Sequence, residues 1–254
     1  MKSKLLLMLL IFTCWCFPQI AHAADADKMP DSFVDIQKVI PGIVLDIRYY
    51  SPHNFVGERV DGYLAPKCFL TKEAAEALSK VQKDLEPFSL SLKIYDCYRP
   101  QRAVNHFARW ASKIENTRTM KEFYSTVDKR NLFKDGYIAR KSGHSRGSTL
   151  DLTIVPLPVP AQPQYSPGQK LYECYLPAAK RFADNSIDMG TGFDCFHELS
   201  HTANPSISHE QKINRLLLKS LMEKHGFVNY DMEWWHFTLK NEPFPDTYFD
   251  FPIE

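Results

Sequence analysis

Two stretches constrain the fold of this 254-residue chain more than anything else in it. In Ser89-Leu90-Ser91-Leu92-Lys93-Ile94-Tyr95-Asp96 and in Leu150-Asp151-Leu152-Thr153-Ile154-Val155, apolar and polar side chains alternate. A period of two marks a strand with one face against a core. Leu90, Leu92 and Ile94 share one face of the first strand. In the second, Leu150, Leu152 and Ile154 oppose Asp151 and Thr153. A sheet with one apolar face needs a covering layer, and helical periodicity supplies it. Thr71 is placed to cap a helix carrying Ala75, Leu78, Val81 and Leu85, which stops at Pro87. Pro100 suits the first turn of a helix carrying Ala103, Phe107, Trp110 and Ile114. Ser208 and Gln211 form a capping box ahead of Ile213, Leu216, Leu217 and Leu221, with Gly226 to end that helix. Further strands are expected at Ile43–Tyr49, Phe227–Tyr230 and Trp234–Leu239. The charged stretch Glu115–Arg140 shows no clear element. Five prolines from Pro156 to Pro167 make the next segment an extended loop. No internal repeat is visible. The expectation is one α+β domain, helices packed on a mostly antiparallel sheet.

The first residues read differently. Lys2 and Lys4 precede the apolar run Leu5–Phe12, and Ala21-His22-Ala23 is a small-x-small cleavage signal. This is the pattern of a secretory signal peptide (residues 1–23), cut after Ala23. The apolar run is too short to span a bilayer comfortably, so no membrane association is expected after cleavage. Removing two lysines and no acids takes the net charge from +1 to −1, which leaves no electrostatic footprint for nucleic acid. The mature chain, 24–254, is expected outside the cytoplasm, periplasmic or secreted. Cys14 and Cys16 leave with the leader. Cys68, Cys97, Cys174 and Cys195 remain, and an oxidising compartment favours disulfides. Three pairings are open. Cys68–Cys97 and Cys174–Cys195 are favoured because each pair flanks a compact stretch.

Three segments carry chemistry. In Ser142-Gly143-His144-Ser145-Arg146-Gly147-Ser148-Thr149-Leu150-Asp151, a His and an Asp stand seven positions apart across small residues. These let the loop fold back so that both side chains meet one ion, and imidazole and carboxylate both ligate zinc. Glu233-Trp234-Trp235-His236 offers a third ligand and a general base beside a dry aromatic wall. Residues three apart in a regular strand face opposite ways, so Glu233 must sit in a turn or bulge to share a site with His236. In Tyr95-Asp96-Cys97-Tyr98-Arg99-Pro100, Arg99 stands at a strand-to-helix junction and is placed to face a cleft. Each segment alone also fits a plain role: a Gly/Ser turn with a surface His, an aromatic strand with a structural His, a surface salt bridge.

Together, Ser142-x-His144-x-x-Gly147-x-x-x-Asp151, Glu233-x-Trp235-His236 and Tyr98-Arg99-Pro100 resemble the zinc D-alanyl-D-alanine peptidases, and most closely the D-Ala-D-Ala dipeptidases of the vancomycin-resistance type. Asn54-Phe55-Val56-Gly57, Gly190-Thr191-Gly192-Phe193-Asp194 and the ending Tyr248-Phe249-Asp250-Phe251-Pro252 extend the likeness over nearly the whole mature chain. The resemblance implies a hedgehog/DD-peptidase-like fold and hydrolysis of a small D-configured dipeptide in cell-wall peptide turnover. It implies one zinc per chain on His144, Asp151 and His236. Glu233 looks like the general base and then acid, and Arg99 like the oxyanion partner. Asp194 and Tyr49 look like contacts to the substrate's amino end, with Ser142 lining the cleft. Two departures stand out. Gly143 occupies a position where close relatives carry serine, and the loop from Pro156 to Asp188 is long and holds Cys174.

Other readings remain. A D,D-carboxypeptidase trimming peptidoglycan stems would use the same centre. Two His and one Asp also describe a non-haem iron triad, which needs neither Glu233 nor Arg99. A wall-binding protein on the same fold would have lost Glu233 or a ligand, and this chain has lost neither. His53, His106, His209 and His225 are expected to be surface or helix residues. His197 and His201, four apart, could form a second metal pair if helical, but a structural role is expected for His201. The oligomeric state is left open.

Overall fold

A computed structural model describes residues 27–254; the leader expected at 1–23 lies outside the described residues. The strands are β1 (Phe33–Asp35), β2 (Val44–Leu45), β3 (Phe69–Thr71), β4 (Leu90–Asp96), β5 (Thr149–Pro156), β6 (Phe227–Asn229) and β7 (His236–Leu239). The helices are α1 (Ile36–Val39), α2 (Lys72–Leu85), α3 (Gln101–Ser112), α4 (Met120–Phe123) and α5 (His209–Lys224). Five strands form one sheet in the order β2-β4-β5-β7-β6, antiparallel throughout except for the parallel β2–β4 pair. β1 and β3 form a separate antiparallel ribbon. The architecture is α+β, as the alternating strands and helical spacings imply.

Both alternating segments are strands, and they pair with each other: Leu92 faces Ile154 and Ile94 faces Leu152. Their apolar faces join α2 in one core, with Leu78, Val81, Leu85, Leu92, Ile94, Leu150, Leu152 and Ile154 all fully buried. Thr71 caps α2 by accepting from the Ala74 amide, and the Ser208/Gln211 capping box is complete. The polar face of β4 and β5 is buried too. Lys93 sends its ammonium to Asp184 (2.9 Å), Asn185 (2.8 Å) and Gln162 (2.6 Å), all in the proline-rich loop. Asp46 and Arg48 complete this cluster. A buried ammonium persists only with such partners, so the long loop is ionically fastened to the sheet.

Several expected features differ in the structure. The strand expected over Ile43–Tyr49 stops at Leu45, and Arg48–Tyr50 is a 3-10 turn, bent where Arg48 joins Asp46 and Asp184. α3 ends at Ser112, leaving Ile114 exposed, because the chain turns so that the Lys113 and Asn116 carbonyls accept from the Lys129 ammonium. On α5, Ile213 and Leu216 face outward; Leu218 and Met222 are buried instead. That helix is oriented by buried Arg215, which donates to the carbonyls of Met189, Leu199 and His201 at 2.7 Å each. Finally, His53 is buried rather than superficial, bonded to Glu122 (2.9 Å) and stacked on Tyr165.

Candidate metal and catalytic centre

The site is assembled by sheet register. Asp151 on β5 stands directly opposite His236 on β7. On the other side, an irregularity between Ile94 and Asp96 brings Asp96 on β4 opposite the same Asp151. Opposed residues lie about 5 Å apart at Cβ, so three ionisable side chains line up across neighbouring strands. His144 enters from the 3-10 turn Gly143–Arg146 just before β5. Ser142 caps that turn, its hydroxyl accepting from the His144 amide. Gly147 ends it with φ +83°, and a Cβ there would sit 2.2 Å from Phe33 Cε1, which is why the motif needs glycine at this position.

Ligand atoms of His144, Asp151 and His236 all lie within 4.8 Å of one another. His144 Nε2 is 3.3 Å from Asp151 Oδ2, and His236 Nδ1 is 3.0 Å from Asp151 Oδ1. The tautomer of His144 is set from behind: its Nδ1–H donates to the Cys97 carbonyl at 2.7 Å, which turns the Nε2 lone pair toward Asp151 and His236. Burial and the Arg99 charge lower the pKa of His144, so the imidazole is held neutral, as a ligand must be. Burial alone would raise Asp151, but His144 and His236 hold it well below the usual carboxylate range. Two neutral-capable nitrogens and an ionised oxygen, converging on one point, fit a divalent metal of the zinc type with a fourth position left over.

Glu233 meets the geometric condition set by its spacing. The His236 amide donates to the Glu233 carbonyl at 3.2 Å, and the Glu233 amide to the Tyr230 carbonyl at 2.9 Å. Residues 233–235 therefore form a turn, and the strand expected from Trp234 begins only at His236. The turn folds the Glu233 carboxylate back to 3.5 Å from His236 Nδ1. Burial raises its pKa to about 7, with Trp235 fully buried alongside.

Arg99 lies across the same centre. Its Nε and Nη2 reach Asp96 at 2.9 Å, and Nη2 is 3.4 Å from Asp151. The guanidinium stacks on Tyr49 and Phe107 at about 5 Å. Asp194 adopts the left-handed φ of +57°, uncommon for a residue with a side chain. It is buried, and the Tyr49 hydroxyl donates to its Oδ2 at 2.9 Å. Burial and the neighbouring Asp151 charge push the Asp194 pKa well up. Tyr49, Arg99, Ser142, Gly143, Asp194 and Glu233 line one cleft of about 230 Å³ with the three ligand residues.

Sequence reasoning passed over Asp96. It is fully buried and accepts from the Tyr63 hydroxyl (2.6 Å) and Arg99. The available signal was an acid closing an apolar strand three residues before Arg99. Gly143, by contrast, has a local reason: a Cβ there would meet Thr149 Oγ1 at 2.7 Å. His197 caps a turn, its Nδ1 accepting from the Leu199 amide.

A cleft that gathers two imidazoles and a carboxylate, with a second carboxylate beside them, defines a metal-dependent hydrolase. The comparisons agree. A family profile described as D-ala-D-ala dipeptidase, of the peptidase M15 family, matches residues 29–158 and 159–254. The D-alanyl-D-alanine dipeptidase of Streptomyces coelicolor is 38% identical over 89% of this chain and 100% of its own length. Proteins with the same name from Enterococcus faecium and Escherichia coli are 36% and 31% identical, over 89% and 81% of this chain and 100% and 83% of their own lengths. The chain belongs to the D-Ala-D-Ala dipeptidase family of M15 peptidases.

Proposed function

We propose that this protein is a zinc-dependent dipeptidase that hydrolyses D-alanyl-D-alanine, or a similar D-configured dipeptide, during cell-wall peptide turnover outside the cytoplasm. The observation that carries the reading is the convergence of His144, Asp151 and His236 on one point, with Glu233 at 3.5 Å from His236 Nδ1 and Asp194 in the same small cleft. The names of the relatives supply the substrate.

Zinc held by the two histidines and Asp151 would supply a Lewis acid that acidifies water and polarises a carbonyl. This chain's own groups do the rest. The Glu233 carboxylate takes the proton of the attacking water, and a pKa poised near neutrality suits it to return that proton to the leaving nitrogen. The Arg99 guanidinium, which lines the cleft, stabilises the charge that develops on the carbonyl oxygen. Asp194, oriented by Tyr49, pairs with the substrate's ammonium, and Ser142 keeps the His144 turn in shape. A cleft of about 230 Å³ is smaller than the roughly 300–1,000 Å³ of drug-sized ligand sites. Together with Asp194, this favours a free dipeptide over the end of a long stem peptide. The mature domain is 24–254 after cleavage at Ala23, a location supported by two disulfides.

The test is metal analysis and turnover of D-Ala-D-Ala against a pentapeptide stem, for wild type and Glu233→Ala. Zinc at one per chain, dipeptide hydrolysis and a loss of at least about 100-fold in the variant are expected. A variant that holds zinc and keeps full activity refutes the role of Glu233. Preference for the pentapeptide refutes the dipeptidase reading.

A further inference from the structure

Each half of the cleft is backed by one disulfide. Cys68–Cys97 joins the residue before β3 to the residue after β4, with Cα atoms 5.3 Å apart. Cys97 lies between Asp96 and Arg99, and its own carbonyl accepts from His144 Nδ1 at 2.7 Å. Two more backbone bonds secure this corner. The Tyr98 amide donates to Phe69 at 3.0 Å, and the Arg99 amide donates to the His144 carbonyl at 3.3 Å. The atom that selects the tautomer of a metal ligand therefore sits on a cross-linked residue.

Cys174–Cys195 does the corresponding job on the other wall, with Cα atoms 5.5 Å apart. Cys195 directly follows Asp194, whose backbone is held at φ +57°. A non-glycine residue stays in that region only when its surroundings over-determine it. Here they do. The Cys174 amide donates to Glu122 (3.0 Å), the Gly192 amide to Cys174 (2.8 Å) and the Phe196 amide to Phe123 (2.8 Å). The cross-link binds the long loop, the α4 segment and the Asp194 segment into one piece. Both cystines are buried.

We propose that the two disulfides are separate positioning elements: Cys68–Cys97 holds the metal-binding half of the site through the Cys97 carbonyl, and Cys174–Cys195 holds the substrate-binding half through the backbone of Asp194. The inference rests on the dipeptidase reading and deepens it. A purely structural role predicts something else. The closed loops span 29 and 21 residues, and loop-closure stabilisation varies only with the logarithm of that length. Loss of either cross-link would then lower the melting temperature by a similar amount and affect function alike.

The experiment compares Cys68→Ala/Cys97→Ala with Cys174→Ala/Cys195→Ala in the full mature protein. It reads zinc affinity by competition with a chromophoric chelator, and KM and kcat for D-Ala-D-Ala. The first pair is expected to weaken zinc at least tenfold with KM changed less than threefold. The second is expected to raise KM at least tenfold with zinc affinity unchanged. In an Asp194→Asn background, removing Cys174–Cys195 is expected to raise KM no further, because coupled positions are non-additive. Circular dichroism verifies folding, and a pair that fails to fold with alanine is remade with Val at one position to keep buried volume. The same pattern from both pairs, or additive KM effects with Asp194→Asn, overturns the inference. Wild-type turnover is measured first. An inert wild type overturns the dipeptidase reading and the substrate half with it, whereas an active wild type with unsplit variants overturns the inference alone.

Discussion

Replacing Glu233 by glutamine is expected to stabilise the metal-free fold while abolishing its chemistry. Burial raises this carboxyl from its ordinary 4.5 to about 7. The folded chain therefore holds a proton that the unfolded chain has released across that window. Stability falls with pH wherever the folded state binds more protons, so the wild type loses stability between about pH 4.5 and pH 7. Below that window the group is protonated in both states and the loss disappears. The distance from 4.5 to about 7 corresponds to about 3 kcal/mol between the two forms once the group is fully ionised. Glutamine does not titrate and carries no such cost. The attraction of His236 for the ionised carboxylate, 3.5 Å away, is already contained in that net rise, so the expected gain at pH 8 is about 3 kcal/mol. Urea denaturation of chelator-treated wild type and Glu233→Gln at pH 5 and pH 8 measures it. The variant should be the more stable at pH 8, with the difference largely gone at pH 5. A variant equally or less stable at pH 8, or a difference independent of pH, refutes the account of a carboxylate held at a cost for function.

Two further substitutions probe the frame around the centre. Asp96→Ala removes the buried acceptor of the Tyr63 hydroxyl and leaves Arg99 only its 3.4 Å contact with Asp151. Breaking a buried pair from one side costs about 3–5 kcal/mol, so thermal unfolding should shift down by about 10 °C, and an unchanged melting temperature would show that the ion pair is idle. Gly147→Ala forces a side chain into the left-handed region and against Phe33. Strain and overpacking together should cost about 2–4 kcal/mol in urea denaturation and weaken metal binding by displacing the His144 turn; a variant as stable as wild type would remove the steric reason for that glycine.

Much of this protein is legible along the chain because the relevant physics is local. Alternation in Leu90–Asp96 and Leu150–Val155 marks the two central strands, and Thr71 and Ser208 mark the starts of α2 and α5. The small residues between His144 and Asp151 let both side chains meet one ion, and the need for a turn at Glu233 follows from strand geometry alone. The two favoured cystines are the ones formed. What the chain alone did not reveal depends on partners distant in sequence. Asp96 reads as the polar end of a strand until a shift of register sets it opposite Asp151. Arg215 turns α5 because three carbonyls from another segment need donors, and no helical periodicity records that need. Lys93 looks solvent-facing until the long loop brings Asp184 over it. Short-range pattern determined which elements form and which side chains could ligate. Tertiary packing decided which faces are buried, because a buried charge goes where its counter-charge is, and that place is set by the whole fold.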